Sequence, residues 1–240
     1  MNNTKSSRLY KFVKICDNFT DKLLLFCFLC FILIGLYGVY DSYMVYMNAN
    51  DTSILKYKPI NDVLPDDKKI SDDMVAWLTM DDTTIDYPVM QGETNNEYLN
   101  KNPYGEYSLS GAIFLDSNNS KNFDDGYSLI YGHHMENKGM FGVLDNYLDT
   151  TFLEKHKTGK LVISDKTLSL HVFAVLDVSA TNNYVFNPTE HPVEDVLTEM
   201  QPYATYWDSS ANTQNKQIIA LSTCKSPTTD LRTVVVCYAE

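Results

Sequence analysis

The chain has 240 residues, 44% of them hydrophobic, and a formal net charge of −12. That length accommodates one domain with a sizeable core plus an appendage. The acidic balance excludes the basic footprint that nucleic acid needs and argues against electrostatic docking on anionic lipid.

The N-terminus comes first in chain order. Residues 1–22 carry five basic side chains against Asp17 and Asp21, a net of +3, which leaves −15 on the remainder. Leu23 to Tyr40 is then 18 residues without a charge, long enough to cross most of a bilayer core as a helix. The basic flank before it predicts a cytoplasmic N-terminus and an outer C-terminal domain. A cleaved signal peptide is the rival reading. Its apolar core would be long for that, and Gly35 to Tyr46 is mostly bulky, with no clear small-x-small site.

Asn48 to Lys69 is polar, contains Pro59 and Pro65, and reads as a stalk with a short helix near Asn61 to Lys68. The expected division is a basic tail over 1–22, a span over 23–40, a stalk over 41–71 and a folded domain over 72–240.

Within the folded domain, β-type runs recur between turn residues. Strands are expected near Ala76–Met80, Thr84–Val89, Gly111–Leu115, Tyr127–Tyr131, Lys160–Ser164, Leu168–Val178, Gln217–Ser222 and Arg232–Tyr238. Short helices are expected at Asn95–Lys101 and Met140–Leu148. A clearer one covers Val193–Ala204, where Val193, Val196, Leu197, Met200 and Tyr203 follow helical spacing after Pro192. This is a mainly β pattern. Eight strands with few long helices suggest a closed or nearly closed barrel, although periodicity does not separate a barrel from a sandwich.

Cys16, Cys27 and Cys30 lie in or beside the apolar segment, leaving Cys224 and Cys237 outside it. Two exported cysteines can form a disulfide. Cys237, inside Val234-Val235-Val236-Cys237-Tyr238, reads instead as a buried strand residue. Cys224 ends the apolar run Ile218 to Thr223. A strand end at a barrel rim is open to substrate, and a free thiol there needs a cationic neighbour to become a nucleophile. One histidine of the pair His133-His134 and Arg232 are the candidates for that neighbour. His133 and His134 are adjacent and so point to different sides. Arg232 follows Cys224 by eight residues across a polar turn, the spacing of a hairpin; the bland alternative is a surface pair with Asp230. Asp116, Asp124 and Asp125 surround an Asn-rich turn that matches no calcium loop, and a solvated acidic loop is expected there. No phosphate-binding glycine loop or nucleotide motif is present.

The order of Tyr131-Gly132-His133-His134-Met135, then Thr223-Cys224, then Arg232 resembles the sortase family, and the histidine motif is most similar to class B. The resemblance runs from about Ala76 to the last residue. It implies an eight-stranded sortase-type β-barrel, with the Val193–Ala204 helix as the class B elaboration. It implies a cysteine transpeptidase working without a cofactor. Cys224 would attack a C-terminal sorting motif of a secreted protein, His133, the histidine directly after Tyr-Gly, would move the proton with His134 as a partly exposed neighbour, and Arg232 would hold the oxyanion. The thioester would then pass to an amine acceptor, a cell-wall precursor or a pilin. On the same resemblance Asn95 and Leu99 line one groove wall, Thr181 and Tyr184 the opposite wall, and Ser222 faces the peptide. Lys225 departs from relatives that carry an acid there, so no carboxylate partner is expected from that position. The implied protein is a monomer, single-pass, with its domain outside a Gram-positive cell. A class C sortase would add an aromatic lid and a second membrane segment, neither visible here. A cysteine peptidase using water, or a non-catalytic tethered binding domain, are the other functions to weigh.

Overall fold

The computed structural model describes residues 3–49, 51–60, 64, 69–164, 166–224 and 230–240. Helix α1 (Asn3–Ala49) contains the whole apolar stretch and extends on both sides of it. It falls in a compact unit of its own, Met1–Met47, apart from Asn48–Glu240. It is long and apolar enough to cross a membrane, and nothing in its most apolar window is buried by protein. Phe31, Leu33 and Leu36 are all exposed, an arrangement that water penalises and lipid does not.

The second unit is built on one sheet. Its strands are β1 (Met74–Met80), β2 (Asp86–Met90), β3 (Ile113–Leu115), β4 (Tyr127–Tyr131), β5 (Thr158–Ile163), β6 (Thr167–Ser179), β7 (Ala204–Trp207), β8 (Gln217–Cys224) and β9 (Leu231–Ala239). The order is β5-β1-β2-β3-β4-β8-β9-β6-β7, and β5 also pairs with β6. That extra pairing closes eight strands into a barrel. On one edge, β6 pairs through Thr167–His171 with β5 and through Ala174–Leu176 with β7. Its other edge is given to β9.

All eight expected strands are present, with ends shifted by a few residues. The ninth, β7, was not expected. It is four residues long, sits directly after a helix, and has no fully buried position, so alternation is weak there. The helix before it is correspondingly shorter: α4 (Val193–Met200) passes into a 3-10 turn, Gln201–Tyr203, where Pro202 cannot continue the α ladder. Met140–Leu148 is a 3-10 helix over Gly142–Leu148, followed by the unexpected α2 (Thr150–Lys155), which Asp149 caps. Asn95–Lys101 is a series of turns rather than a helix, because Lys101 leaves to bridge Tyr107.

Burial is organised by the barrel wall. Each of the eight closed strands contributes to one cluster, which includes Leu78, Val89, Ile113, Ile130, Leu161, Val172, Leu221 and Val235. This is the interior, and Val143, Leu144 and Tyr147 of the 3-10 helix plug it. The alternate residues point outward. Leu129, Phe173, Ala220, Val234 and Val236 are covered by α3 (Asn183–Phe186), α4 and β7. Trp77, Met90, Phe114 and Val162 are covered by Ile54, Leu64 and Tyr98. The stretch read as a stalk therefore packs on the barrel at Ile54 and Leu64, and Asp51 caps its 3-10 helix Thr52–Tyr57. The short helix expected at Asn61–Lys68 lies outside the described residues, apart from Leu64.

Cys237 is a free thiol on the interior face of β9, fully buried, and burial pushes its pKa up to about 12. A thiol so held is neutral and shielded at a pH of about 8, where an exposed cysteine is partly thiolate. Peptide mapping after iodoacetamide treatment of the native chain should find Cys237 unmodified. The same treatment in denaturant should modify it fully. Labelling of Cys237 in the native chain at the rate of a free thiol would contradict the buried placement.

Candidate active site

Three segments meet at one rim of the barrel. Parallel pairing sets Tyr131 on β4 beside Ser222 on β8, and the Gly132 N–H continues the ladder to the Ser222 carbonyl at 3.1 Å. Position 133 is thereby brought level with the end of β8. Antiparallel pairing sets Cys224 directly opposite Arg232. Cα atoms in such a pair are about 4.5–5.5 Å apart. His133, Cys224 and Arg232, 91 and 8 residues apart in sequence, are thus placed together by backbone register.

An open groove of about 640 Å³ runs along this rim, lined by Asn95, Asn96, Leu99, Phe114, Tyr131, Gly132, His133, Ser222, Thr223 and Arg232. Of the sequence candidates for substrate contact, Asn95, Leu99 and Ser222 line it. Thr181 and Tyr184 are not among the described lining residues. The Thr181 hydroxyl bonds Ser179, and the Tyr184 ring stacks on His191.

His133 is held from the groove wall. Its Nε2 lies 2.6 Å from the Leu99 carbonyl. A carbonyl oxygen only accepts, so Nε2 carries a proton and donates it, which leaves Nδ1 as the atom free to exchange one. Leu99 can come this close because of Gly111. That residue has φ +60°, and a Cβ on it would stand 2.6 Å from the backbone oxygens of both Tyr98 and Leu99 and 2.9 Å from His133 Cδ2. The two histidines do face opposite ways. His134 is partly exposed, as expected, and it is also anchored: its Nε2 donates to Asp145 Oδ2 at 2.8 Å.

Arg232 is half-buried and has no carboxylate partner among the described residues. Asp230, the surface partner weighed for it, instead accepts from the Ser179 hydroxyl. One guanidinium N–H of Arg232 donates to the Leu231 carbonyl at 3.2 Å. Its charge acts on the Tyr131 phenol, which burial and then the Asp116 charge hold well above the usual tyrosine range. Tyr131 is accordingly a neutral donor.

Asp116 is the residue that composition misjudged. Expected in a solvated loop, it is fully buried at the end of β3. Its carboxylate accepts from Asn95 Nδ2 at 2.8 Å, from the Tyr131 hydroxyl at 3.0 Å and from Asn118. Asn95 Oδ1 accepts in turn from the Ser117 N–H. Four hydrogen bonds offset the desolvation of the charge, and they fix the groove wall at Asn95 and its floor at Tyr131. The only hint in the sequence was an acid directly after the apolar run Ile113-Phe114-Leu115. Ser222 Oγ is buried with no hydrogen-bond partner among the described residues, and so is Thr223 Oγ1. No cluster of metal-ligating side chains occurs among the described residues.

A sortase domain model matches residues 78–240. The chain belongs to the sortase family. It is 36% identical over 169 residues to sortase B of Listeria monocytogenes, covering 69% of this chain and 68% of that protein. It is 30% identical to sortase B of Staphylococcus aureus, covering 72% of each. Among solved structures, a Streptococcus pyogenes class B sortase involved in pilus biogenesis superposes with a TM-score of 0.66 at 41% identity, covering 71% of this chain and 94% of that one. A Staphylococcus aureus sortase B–substrate complex superposes with a TM-score of 0.66 at 32% identity, covering 72% and 82%. The barrel of this sortase is of the class B kind, and its reaction class is that of a cysteine transpeptidase.

Gly111→Ala places a side chain where φ is positive and backbone oxygens block it. Strain of that sort costs about 1–3 kcal/mol. Denaturant unfolding should show a loss in this range, and the turnover of peptide should fall as the Leu99 carbonyl moves off His133. A variant as stable and as active as wild type would show that the close approach is unnecessary.

Proposed function

We propose that this sortase is anchored by α1, with its N-terminus in the cytoplasm and residues 72–240 outside the cell. We further propose that Cys224, His133 and Arg232 are its catalytic residues. The basic flank over 1–22 and the unburied apolar helix support the topology. The backbone register that brings positions 133, 224 and 232 to one groove supports the triad.

In this reading the Cys224 thiolate attacks a backbone carbonyl of a sorting motif near the C-terminus of a secreted protein. A C–S bond forms, and the tetrahedral oxyanion is held by the forked donors of Arg232. The C–N bond then breaks. His133, its Nε2–H engaged by Leu99, delivers a proton from Nδ1 to the departing amine. An amine acceptor gives up a proton to the same nitrogen, attacks the thioester and expels the thiolate. Asn95 and Leu99 form one groove wall. Ser222 Oγ, buried and unpartnered among the described residues, supplies a hydrogen bond to the peptide. Thr181 and Tyr184 are proposed for the opposite wall, beside the inserted helix, and the enzyme works as a monomer. One solved sortase B, 31% identical to this chain, is complexed with triglycine, which makes an oligoglycine amine the first acceptor to test.

The deciding experiment uses fluorogenic sorting peptides with and without triglycine. Cys224→Ala should give no product, while the fold survives. His133→Ala should lower kcat by about 10²–10⁴-fold, far more than His134→Ala. Arg232→Ala should lower kcat and kcat/KM together by about 10²–10³-fold with little change in KM, and Arg232→Lys should recover only part. Added triglycine should divert product from the free acid to the amide. A product that stays the free acid at saturating amine would make the enzyme a peptidase. Cleavage by Cys224→Ala near the wild-type rate would remove the nucleophile.

Topology has its own test. A chain beginning at Asn48 should be soluble, monomeric and active on peptide, because the groove lies entirely within Asn48–Glu240. Loss of activity on removing the preceding residues would mean that they complete the site.

A further inference from the structure

We propose that Asp145 is a positioning residue for the sortase reaction: its carboxylate clamps, from inside the barrel, the segment carrying His133 to the strand carrying Arg232. The proposal rests on the assignment of His133 and Arg232 to catalysis.

Asp145 belongs to the 3-10 helix Gly142–Leu148, whose apolar face plugs the barrel. One carboxylate oxygen accepts from His134 Nε2 at 2.8 Å, and the other accepts from the Thr233 hydroxyl at 2.8 Å. These two partners are the immediate chain neighbours of His133 and Arg232. The geometry follows from alternation. Adjacent residues in extended chain point to opposite sides, so a side chain that faces the groove is followed by one that faces inward. His133 is bonded to Leu99 on the groove side, and His134 is bonded to Asp145 on the inner side. Arg232 lines the groove, whereas Thr233 is fully buried on the face shared with Val235 and Cys237.

Each groove residue is therefore held through its neighbour, and one carboxylate holds both. The helix is stitched to the histidine segment a second time, by the Phe141 N–H donating to the His133 carbonyl at 3.0 Å and by a bridge between His134 and Met140. What Asp145 adds is the link from this segment to β9. The two bonds are charge-assisted and the side chains of Asp145 and His134 are only 23% and 17% exposed, so water competes weakly for them. A shift of about 1 Å between reacting groups is enough to cost on the order of 10²-fold in rate. A clamp of this kind acts on turnover rather than on substrate affinity.

The test uses the full-length chain in detergent and the fluorogenic peptide that wild type cleaves fastest. Active sites are counted by titrating Cys224 with iodoacetamide, followed by peptide mapping. Asp145→Ala should lower kcat per titrated site at least tenfold, with KM within twofold. Asp145→Asn keeps an acceptor for Thr233 and should lose less. Thr233→Val, which removes the hydroxyl at constant volume, should cost three- to tenfold in the wild-type background and less than twofold in the Asp145→Ala background. A merely structural role would reduce the number of titratable sites and leave kcat per site unchanged, and that result overturns the proposal. Equal losses from Thr233→Val in both backgrounds overturn it as well. Should Asp145→Ala fail to fold, Asp145→Leu, which has a similar size and no acceptor for Thr233, takes its place as the second background and the same criteria apply. Arg232→Ala with wild-type turnover would remove the underlying catalytic assignment. Turnover lost in Arg232→Ala but kept in Asp145→Ala removes only the clamp.

Discussion

The register of three neighbouring strands is the constraint on which the site depends. β4 runs parallel to β8, and β8 runs antiparallel to β9. The β8–β9 pair is a local hairpin, but the β4–β8 ladder joins segments far apart along the chain, so the entropy of closing a long loop is met before its contacts are gained. Both faces of these strands are apolar and buried, so the different side-chain shapes packed on each face oppose a slip. Ile130, Leu221 and Val235 face the interior while Leu129, Ala220 and Val234 face the outer layer. A shift of one residue would exchange every one of these faces and carry the groove residues into the core.

Carboxylates behind the groove convert that register into fixed side-chain positions. Asp116 sits outside the barrel wall and holds Asn95 and Tyr131; Asp145 sits within it and holds His134 and Thr233. Neither lines the groove. Burying such groups is unfavourable in isolation, and it is tolerated here because each oxygen meets donors on rigid elements. The outer helices and the Ile54–Leu64 packing serve a related end. They cover the apolar outer face of the wall, so the strands that carry the site have a dry layer on both sides over most of their length.

Much of this architecture was legible in the sequence because apolar, β-branched runs bounded by turn residues are a strong local signal. Tyr127–Tyr131, Gln217–Ser222 and Arg232–Tyr238 could be placed to within a residue or two, and they are the three that matter. The His-Cys-Arg motifs and their order pointed to the family. What could not be read was decided by long-range packing. β7 has no clear alternation of its own and exists because β6 offers it an edge. Ile54 and Leu64 lie in a polar stretch, and only the outward Trp77–Phe114 face of the barrel gives them a place to be buried. Asp116 and Asp145 look like ordinary surface acids until the fold brings distant donors to them. The Leu99 carbonyl, which sets the histidine tautomer, is invisible to any reading of side chains.

The place of β9 has a consequence for how the enzyme matures. Although it is the last strand in the described sequence, it is central in the sheet, pairing with β6 along one side and β8 along the other. Val234, Val235, Val236 and Cys237 are fully buried there. A chain delivered N-terminus first can assemble hairpins such as β1–β2 and β5–β6 early, but the barrel stays open until residues through Ala239 have emerged. Domains generally form as units once their full sequence is available. Arg232 arrives on that same final strand, opposite Cys224. Closure of the core and completion of the groove are therefore one event. Under the proposed assignment of Cys224 and Arg232, a partly emerged chain holds its thiol without the cation opposite it, so reactivity is withheld until β9 is in place.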